Sequence, residues 1–129
     1  MTLVRILSVA LGGAAGAVLR YSVSHFLAQL VRSPFPAGTF VVNILGCLVI
    51  GFLMAGPSHM VSHPETQAFL VAGLLGAFTT FSTFSLETVI LLQRGSFVAG
   101  VLNIGASLVV GLAAVIAGGA LARLAARVF

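Results

Sequence analysis

Apolar positions along the chain fall into four long runs, and short segments rich in proline, charged or polar residues separate them. The runs cover about residues 3–30, 37–55, 66–92 and 95–124. About 20 apolar residues in a helix cross the hydrocarbon layer of a bilayer, so each run predicts one membrane-spanning helix. The pattern therefore predicts an all-α integral membrane protein, with residues 1–129 forming a single four-helix transmembrane domain.

The composition supports this class and excludes several others. Hydrophobic residues make up 60% of the chain and charged residues only 6%, whereas about a quarter of a soluble domain is charged. A single cysteine, Cys47, excludes a disulfide framework and a cysteine-cluster metal site. The basic residues are scattered arginines without a basic cluster, so we expect no nucleic-acid partner.

Small residues in the first run point to close helix packing. Gly12, Gly16 and Arg20 recur every four residues and share one helix face. Such spacing lets two helix backbones approach closely in lipid. A basic residue ahead of a short apolar stretch is also found in cleavable signal peptides. The glycine stripe favours a packed membrane helix over that alternative.

The arginines do not favour one orientation in the membrane. Four spans place Arg5, Arg123 and Arg127 on one side, and Arg32, Arg94 and an interfacial Arg20 on the other. Orientation normally follows an excess of cytoplasmic Lys and Arg, and that excess is missing here. We therefore expect insertion in both orientations, which allows an antiparallel two-fold homodimer.

Residues 73–85 combine two glycines, five hydroxyl side chains and three phenyl rings within an apolar run. A bilayer penalises polar groups without partners, so this density predicts a protein-lined path or an ion site. The glycines Gly73 and Gly76 with the pair Thr79 and Thr80 are compatible with an interruption of the third helix or with an unbroken helix.

A donor-lined path for a small anion is the chemistry that these residues favour. Thr39 and Asn43 share a face of the second helix, while Asn103 and Ser107 share one of the fourth. Hydrogen bonds that join helices are the alternative role for such polar residues, and core filling is the alternative for the phenyl rings. Rings that present their positive edges beside hydroxyl donors suit a small, strongly hydrated halide.

Charged and titratable residues have subsidiary roles in this interpretation. Arg20 is expected in a vestibule, where it would attract anions. His25, His59 and His63 are expected at the membrane interface, and the role of Glu87 stays open. No combination of side chains matches a known catalytic motif, so we do not expect an enzyme.

Three sequence pieces resemble the Fluc family of fluoride channels, also called CrcB-like proteins. They are GAVLRY at residues 16–21, GTFVVNILG at 38–46 and GAFTTFSTFSLE at 76–87, and the four-span layout is similar from end to end. The third piece is the most specific. The chain departs from the family pattern at Asn103, where many relatives have Tyr, and at Ala77, where a second Gly is common.

The resemblance implies a dual-topology antiparallel homodimer with an interrupted third helix and two pores. Such a protein lets cytoplasmic fluoride leave the cell passively across the inner (plasma) membrane. Carrying the motif over, Asn43 donates to the ion, and Phe81 and Phe84 are the pore phenyls. The polar pore walls are Thr39, Ser82, Thr83 and Ser107. The carbonyls of Gly76 and Thr79 hold a structural Na⁺ at the dimer centre.

Two other functions stay open. One is a small dual-topology multidrug-type transporter, which would require a membrane-embedded acid in its first helix, and this chain has none there. The other is a non-transporting membrane scaffold subunit, because polar stripes also serve assembly.

Overall fold

A computed structural model describes residues 2–56 and 61–128, and every regular element in these ranges is a helix. Four helical segments are long and apolar enough to cross a membrane: Leu3–Leu30, Ala37–Ala55, Pro64–Gln93 and Phe97–Arg127. The predicted all-α, four-span architecture is thereby confirmed. His59 lies outside the described residues.

The helices follow one another with short connections. Helix α1 spans Leu3–Leu30 and α2 spans Ala37–Ala55. Helix α3 joins three pieces, an α-helical turn at Pro64–Gln67, a π-helical segment at Ala68–Leu75 and a last turn at Gly76–Phe78. Helix α4 spans Phe81–Gln93 and α5 spans Phe97–Val128.

Between α3 and α4 the backbone leaves helical geometry for two residues. Thr79 has φ −84° and ψ 158°, and Thr80 has φ −152° and ψ 120°, so both residues are extended. The membrane span that contains them bends only slightly across this point. The last carbonyls of α3 and the first N–H groups of α4 therefore lack partners within their own helices.

Helices α1 and α3 run parallel and touch through glycine, which confirms the close packing that the spacing in the first run predicted and shows its partner. Gly12 and Gly16 are buried. A side-chain carbon at Gly12 would collide with the Phe69 carbonyl, and one at Gly16 would collide with the Leu74 carbonyl. Close backbone contact is a main source of helix association in lipid, since lipid tails are as apolar as leucine side chains.

Helices α2 and α5 form a second parallel pair in the same way. A side-chain carbon at Gly51 would meet the Val115 carbonyl, and one at Gly118 would meet the Leu48 carbonyl. Helix α4 is connected to α5 by a tight turn in which Gly95 has φ +77°, a conformation that favours glycine. Helix α4 itself contains no glycine and meets α5 where Leu91 and Leu92 approach Gly100.

Candidate functional site

The extended residue Thr80 is paired with a side chain from another helix. Asn43, on α2, accepts a hydrogen bond from the Thr80 N–H through its Oδ1 at 2.8 Å, and its Nδ2 donates to the Thr80 carbonyl at 3.1 Å. The Asn43 side-chain amide thus bonds both the N–H and the carbonyl of Thr80, as the backbone of a neighbouring β-strand does in a sheet. One of the two amide N–H groups of Asn43 remains for another acceptor.

A cluster of hydroxyl groups lies at the start of α4. Thr80 is the N-cap, and its Oγ1 accepts from the Thr83 N–H at 3.2 Å. The same oxygen lies 3.0 Å from the Thr83 hydroxyl and 3.2 Å from the Ser82 hydroxyl. Threonine is a favoured N-cap because its oxygen satisfies a free N–H of the first turn. The positive end of the α4 dipole therefore coincides with three hydroxyl groups.

Two phenyl rings stand beside this cluster. The centroids of Phe81 and Phe84 are 5.7 Å apart, and the ring planes are tilted by 39°. Phe81 is 79% exposed in the single chain, whereas Phe84 is half-buried. The structure therefore connects Asn43, through Thr80, with the hydroxyls of Ser82 and Thr83, and the two rings belong to the same first turn of α4.

Arg20 reaches the end of α3. Its Nε donates a hydrogen bond to the Ala77 carbonyl at 3.0 Å. A cation near the C-terminus of a helix is favoured by the helix dipole, and this carbonyl has no partner within α3. The vestibule position expected for Arg20 stays a prediction, and the structure adds a contact with the backbone that the sequence did not indicate.

Thr39 and Glu87 form a second polar contact, between α2 and α4. The Thr39 hydroxyl donates to Glu87 Oε1 at 3.0 Å, while Oε2 of the same carboxyl group is buried without a hydrogen-bond partner among the described residues. Both residues line a cavity of about 540 Å³ that also contains Tyr21, His25 and Arg94. Thr39 lies in the first turn of α2, one helical turn before Asn43.

Two polar residues of α5 complete the set. Ser107 is half-buried, and its Oγ is buried without a hydrogen-bond partner among the described residues. Asn103 is buried and donates to the Thr88 hydroxyl at 2.9 Å. A hydrogen bond between helices is the role that the sequence favours for Thr88, but its partner depends on the register of α4 and α5, which local spacing does not give.

The residues expected to hold a cation lie at the end of α3. Gly76 is exposed, and the Thr79 hydroxyl donates to the Leu75 carbonyl at 2.9 Å. No group of three His, Cys, Asp or Glu residues converges in the ranges 2–56 and 61–128. His25 and His63 are exposed, the first stacked on Tyr21 with centroids 5.8 Å apart.

Comparison with known proteins identifies the family. The family model described as CrcB-like protein, Camphor Resistance (CrcB), matches residues 7–119. The chain belongs to the CrcB-like family. Every site residue described above lies within the matched range. Family membership and the resemblance noted for residues 76–87 thus agree.

Several relatives carry the name fluoride-specific ion channel FluC. The protein from Aeromonas salmonicida is 46% identical over 114 residues, which cover 87% of this chain and 90% of the relative. The protein from Rhizobium johnstonii is 45% identical over 122 residues, 94% of this chain and 98% of the relative. The protein from Shewanella halifaxensis is 50% identical over 99 residues, 77% of this chain and 80% of the relative.

Proposed function

We propose that this CrcB-like protein is a fluoride-selective channel that lets cytoplasmic fluoride leave down its electrochemical gradient. The observation that carries the proposal is the pairing of Phe81 and Phe84 with the hydroxyl cluster at the start of α4. Relatives with 45% and 46% identity over most of the chain bear the name of a fluoride-specific channel.

The chemistry of the cluster suits a small anion. Fluoride gives up its water only where fixed donors replace it, and the hydroxyls of Ser82 and Thr83 with the free amide N–H of Asn43 are such donors. The α4 N-terminus adds a positive partial charge, and the positive edges of the two phenyl rings contact an anion without repelling it. No charged side chain occurs between residues 66 and 85, so the ion is not held too tightly for release.

The outer parts of the path involve three further residues. Thr39 and Ser107 serve as polar walls. Ser107 has a buried hydroxyl without a described partner. The Thr39 hydroxyl donates to Glu87 Oε1, so it would have to turn away from that carboxylate to donate to a passing ion. Arg20 raises the local concentration of anions at the entrance through its charge. Its bond to Ala77 keeps the guanidinium from moving into the path, where it would trap fluoride.

A second copy of the chain completes the site. In the single chain Phe81, Ser82 and Gly76 are exposed, although they lie in a membrane span. Hydroxyl and backbone groups that face lipid without partners are costly, so a protein surface must cover them. The balanced arginines allow either orientation, and an antiparallel homodimer would bring the same surface of a second copy against these residues.

A structural Na⁺ fits the end of α3. The carbonyls of Gly76 and Thr79 would hold it, because backbone carbonyl oxygens suit hard cations and the C-terminal end of a helix carries a negative partial charge. The extended conformation of Thr79 frees carbonyl groups for this purpose. The ion would neutralise the facing helix ends of the two copies. The location of such a channel is the inner (plasma) membrane, where it releases fluoride that entered as the protonated acid.

Release of fluoride and chloride from liposomes that contain only this protein tests the proposal. We expect fluoride to leave quickly and chloride to stay. Phe81→Ile removes a ring edge at a similar side-chain volume, so fluoride release should fall while the protein still assembles. The matched control is Phe26→Ile at a residue of α1 that is 64% exposed, and it should release fluoride like the wild type.

Three outcomes would contradict the proposal or part of it. Wild-type liposomes that retain fluoride would leave a scaffold role, and coupled export of organic cations would indicate a multidrug-type transporter. Equal release of fluoride and chloride would show that the channel does not select fluoride. Unchanged release by Phe81→Ile would show that the ring edge has no part in conduction.

A further inference from the structure

We infer that Asn103 is a positioning residue that fixes the Phe84 ring through Thr88 without contacting the ion. The positioning of the ring does not depend on the proposed function. Its effect on fluoride conduction rests on the proposed channel function. Asn103 is 1% exposed, and its Nδ2 donates to Thr88 Oγ1 at 2.9 Å. The Thr88 hydroxyl in turn donates to the Phe84 carbonyl at 2.7 Å.

The chain of hydrogen bonds joins α5 to the helical turn that carries the ring. Thr88 and Phe84 are four residues apart, so they lie one above the other on the same face of α4. A bond that holds Thr88 toward α5 therefore also holds the position of Phe84 around the helix axis. The carboxamide is almost completely buried in a membrane span, where a polar group without a partner is costly.

Helix α4 depends on such polar contacts because it lacks glycine for close backbone packing. Its contacts with α2 run through Thr80 and Glu87. Among the described residues, the side-chain hydrogen bond from α4 to α5 is the one between Thr88 and Asn103. The C-terminal end of α4 also packs on Gly100 of α5 through Leu91 and Leu92. The Thr88–Asn103 bond restrains the rotation of α4 nearer to Phe84.

Rotation of α4 changes what an ion meets at Phe84. A phenyl ring attracts an anion at its edge and repels it at its face, so a change in ring orientation changes the sign of the interaction. A population of rotated helices would therefore conduct fluoride poorly and select it less well. The ratio of rotated to correctly oriented helices can change only by the factor that corresponds to the free energy of the lost hydrogen bond.

The test uses two substitutions with opposite expectations. Thr88→Val keeps the shape of the side chain and removes the hydroxyl, whereas Thr88→Ser keeps the hydroxyl. In liposomes we expect Thr88→Val and Asn103→Leu to lower the ratio of fluoride to chloride release by about three- to twenty-fold, the range given by hydrogen bonds between membrane helices. Thr88→Ser should retain the wild-type ratio, and the double variant should lose no more than either single variant.

A second readout does not depend on conduction. With 4-fluorophenylalanine in place of Phe84, the fluorine NMR resonance of the reconstituted protein reports the surroundings and order of the ring. We expect it to shift or broaden in Thr88→Val and Asn103→Leu and to stay unchanged in Thr88→Ser. Because chloride stays in wild-type liposomes, poor folding alone would also lower the ratio. Release is therefore compared at equal amounts of folded protein recovered after reconstitution.

The outcomes separate this inference from the channel proposal. A wild type that conducts no fluoride refutes the channel proposal, and the resonance at position 84 then decides the positioning role alone. An unchanged resonance in Thr88→Val and Asn103→Leu overturns the inference. An altered resonance with a wild-type ion ratio in a conducting protein supports the positioning of the ring and overturns its stated consequence for selectivity.

Discussion

Replacement of Asn43 by Leu tests how the extended backbone between α3 and α4 is held. The substitution roughly retains the side-chain volume and removes both hydrogen bonds to Thr80, at 2.8 and 3.1 Å. Because Thr80 is extended, its N–H and carbonyl cannot turn to a helical partner instead. We therefore expect Asn43→Leu to lower the stability of the fold as well as fluoride release.

The expected loss of stability follows from the two bonds. A hydrogen bond between membrane helices contributes about 0.6 kcal/mol on average and up to about 1.7 kcal/mol. A buried polar group left without a partner costs about 1 to 3 kcal/mol. Thr80 is half-buried, so part of that cost is relieved. We expect the free energy of unfolding to fall by about 2 kcal/mol, a factor of about 30 in the equilibrium constant.

Unfolding in mixed micelles with increasing sodium dodecyl sulfate measures this difference. Asn103→Leu is the matched control, since it also removes an amide but leaves the Thr88 hydroxyl with its own acceptor, the Phe84 carbonyl. Its loss should be about 0.6 kcal/mol, the average for one such bond. If Asn43→Leu loses no more stability than Asn103→Leu, the pairing of Asn43 with the Thr80 backbone is not what holds this segment.

Two glycine substitutions probe the close helix contacts by the same unfolding measurement. Gly16→Ala should destabilise the fold by about 1 to 3 kcal/mol through its collision with the Leu74 carbonyl, whereas Gly13→Ala, which meets no atom within 4 Å, should be neutral. If Gly16→Ala and Gly13→Ala change the free energy of unfolding equally, the close contact between α1 and α3 at Gly16 is contradicted. Gly46→Ala should destabilise similarly because its methyl collides with Thr79 Cγ2, and Thr79→Ser should restore stability by removing that carbon. If the double variant is no more stable than Gly46→Ala alone, contact with Thr79 Cγ2 is not the cause of the lost stability.

The sequence allowed the spans and the polar cluster to be predicted, because both depend on local patterns. Hydropathy over about 20 residues identifies a membrane helix whatever it packs against. The four-residue spacing of Gly12 and Gly16 identified the face of α1 that approaches α3. The clustering of Thr80, Ser82 and Thr83 follows from their adjacency in the chain, since residues in one helical turn cannot lie far apart.

The partners across helices could not be predicted, because they depend on the relative register of two helices. Asn43 lies 37 residues before Thr80, and Arg20 lies 57 residues before Ala77. A shift of one residue along either helix would turn the side chain about 100° away. Asn43 was therefore expected to serve an ion, and its pairing with the Thr80 backbone appeared only in the structure.

These cross-helix bonds explain how a membrane span tolerates two extended residues. The backbone groups freed there would be costly in lipid without partners. Arg20 from α1 takes the Ala77 carbonyl on one side of the extended pair, and Asn43 from α2 takes the N–H and carbonyl of Thr80 on the other. Since these partners come from two different helices, the conformation at Thr79 depends on α1 and α2 as much as on the third span. The hydroxyl cluster begins at the second of these extended residues, and the two phenyl rings follow in the first turn of α4. Their positions therefore depend on Arg20 and Asn43, whether or not these side chains contact an ion.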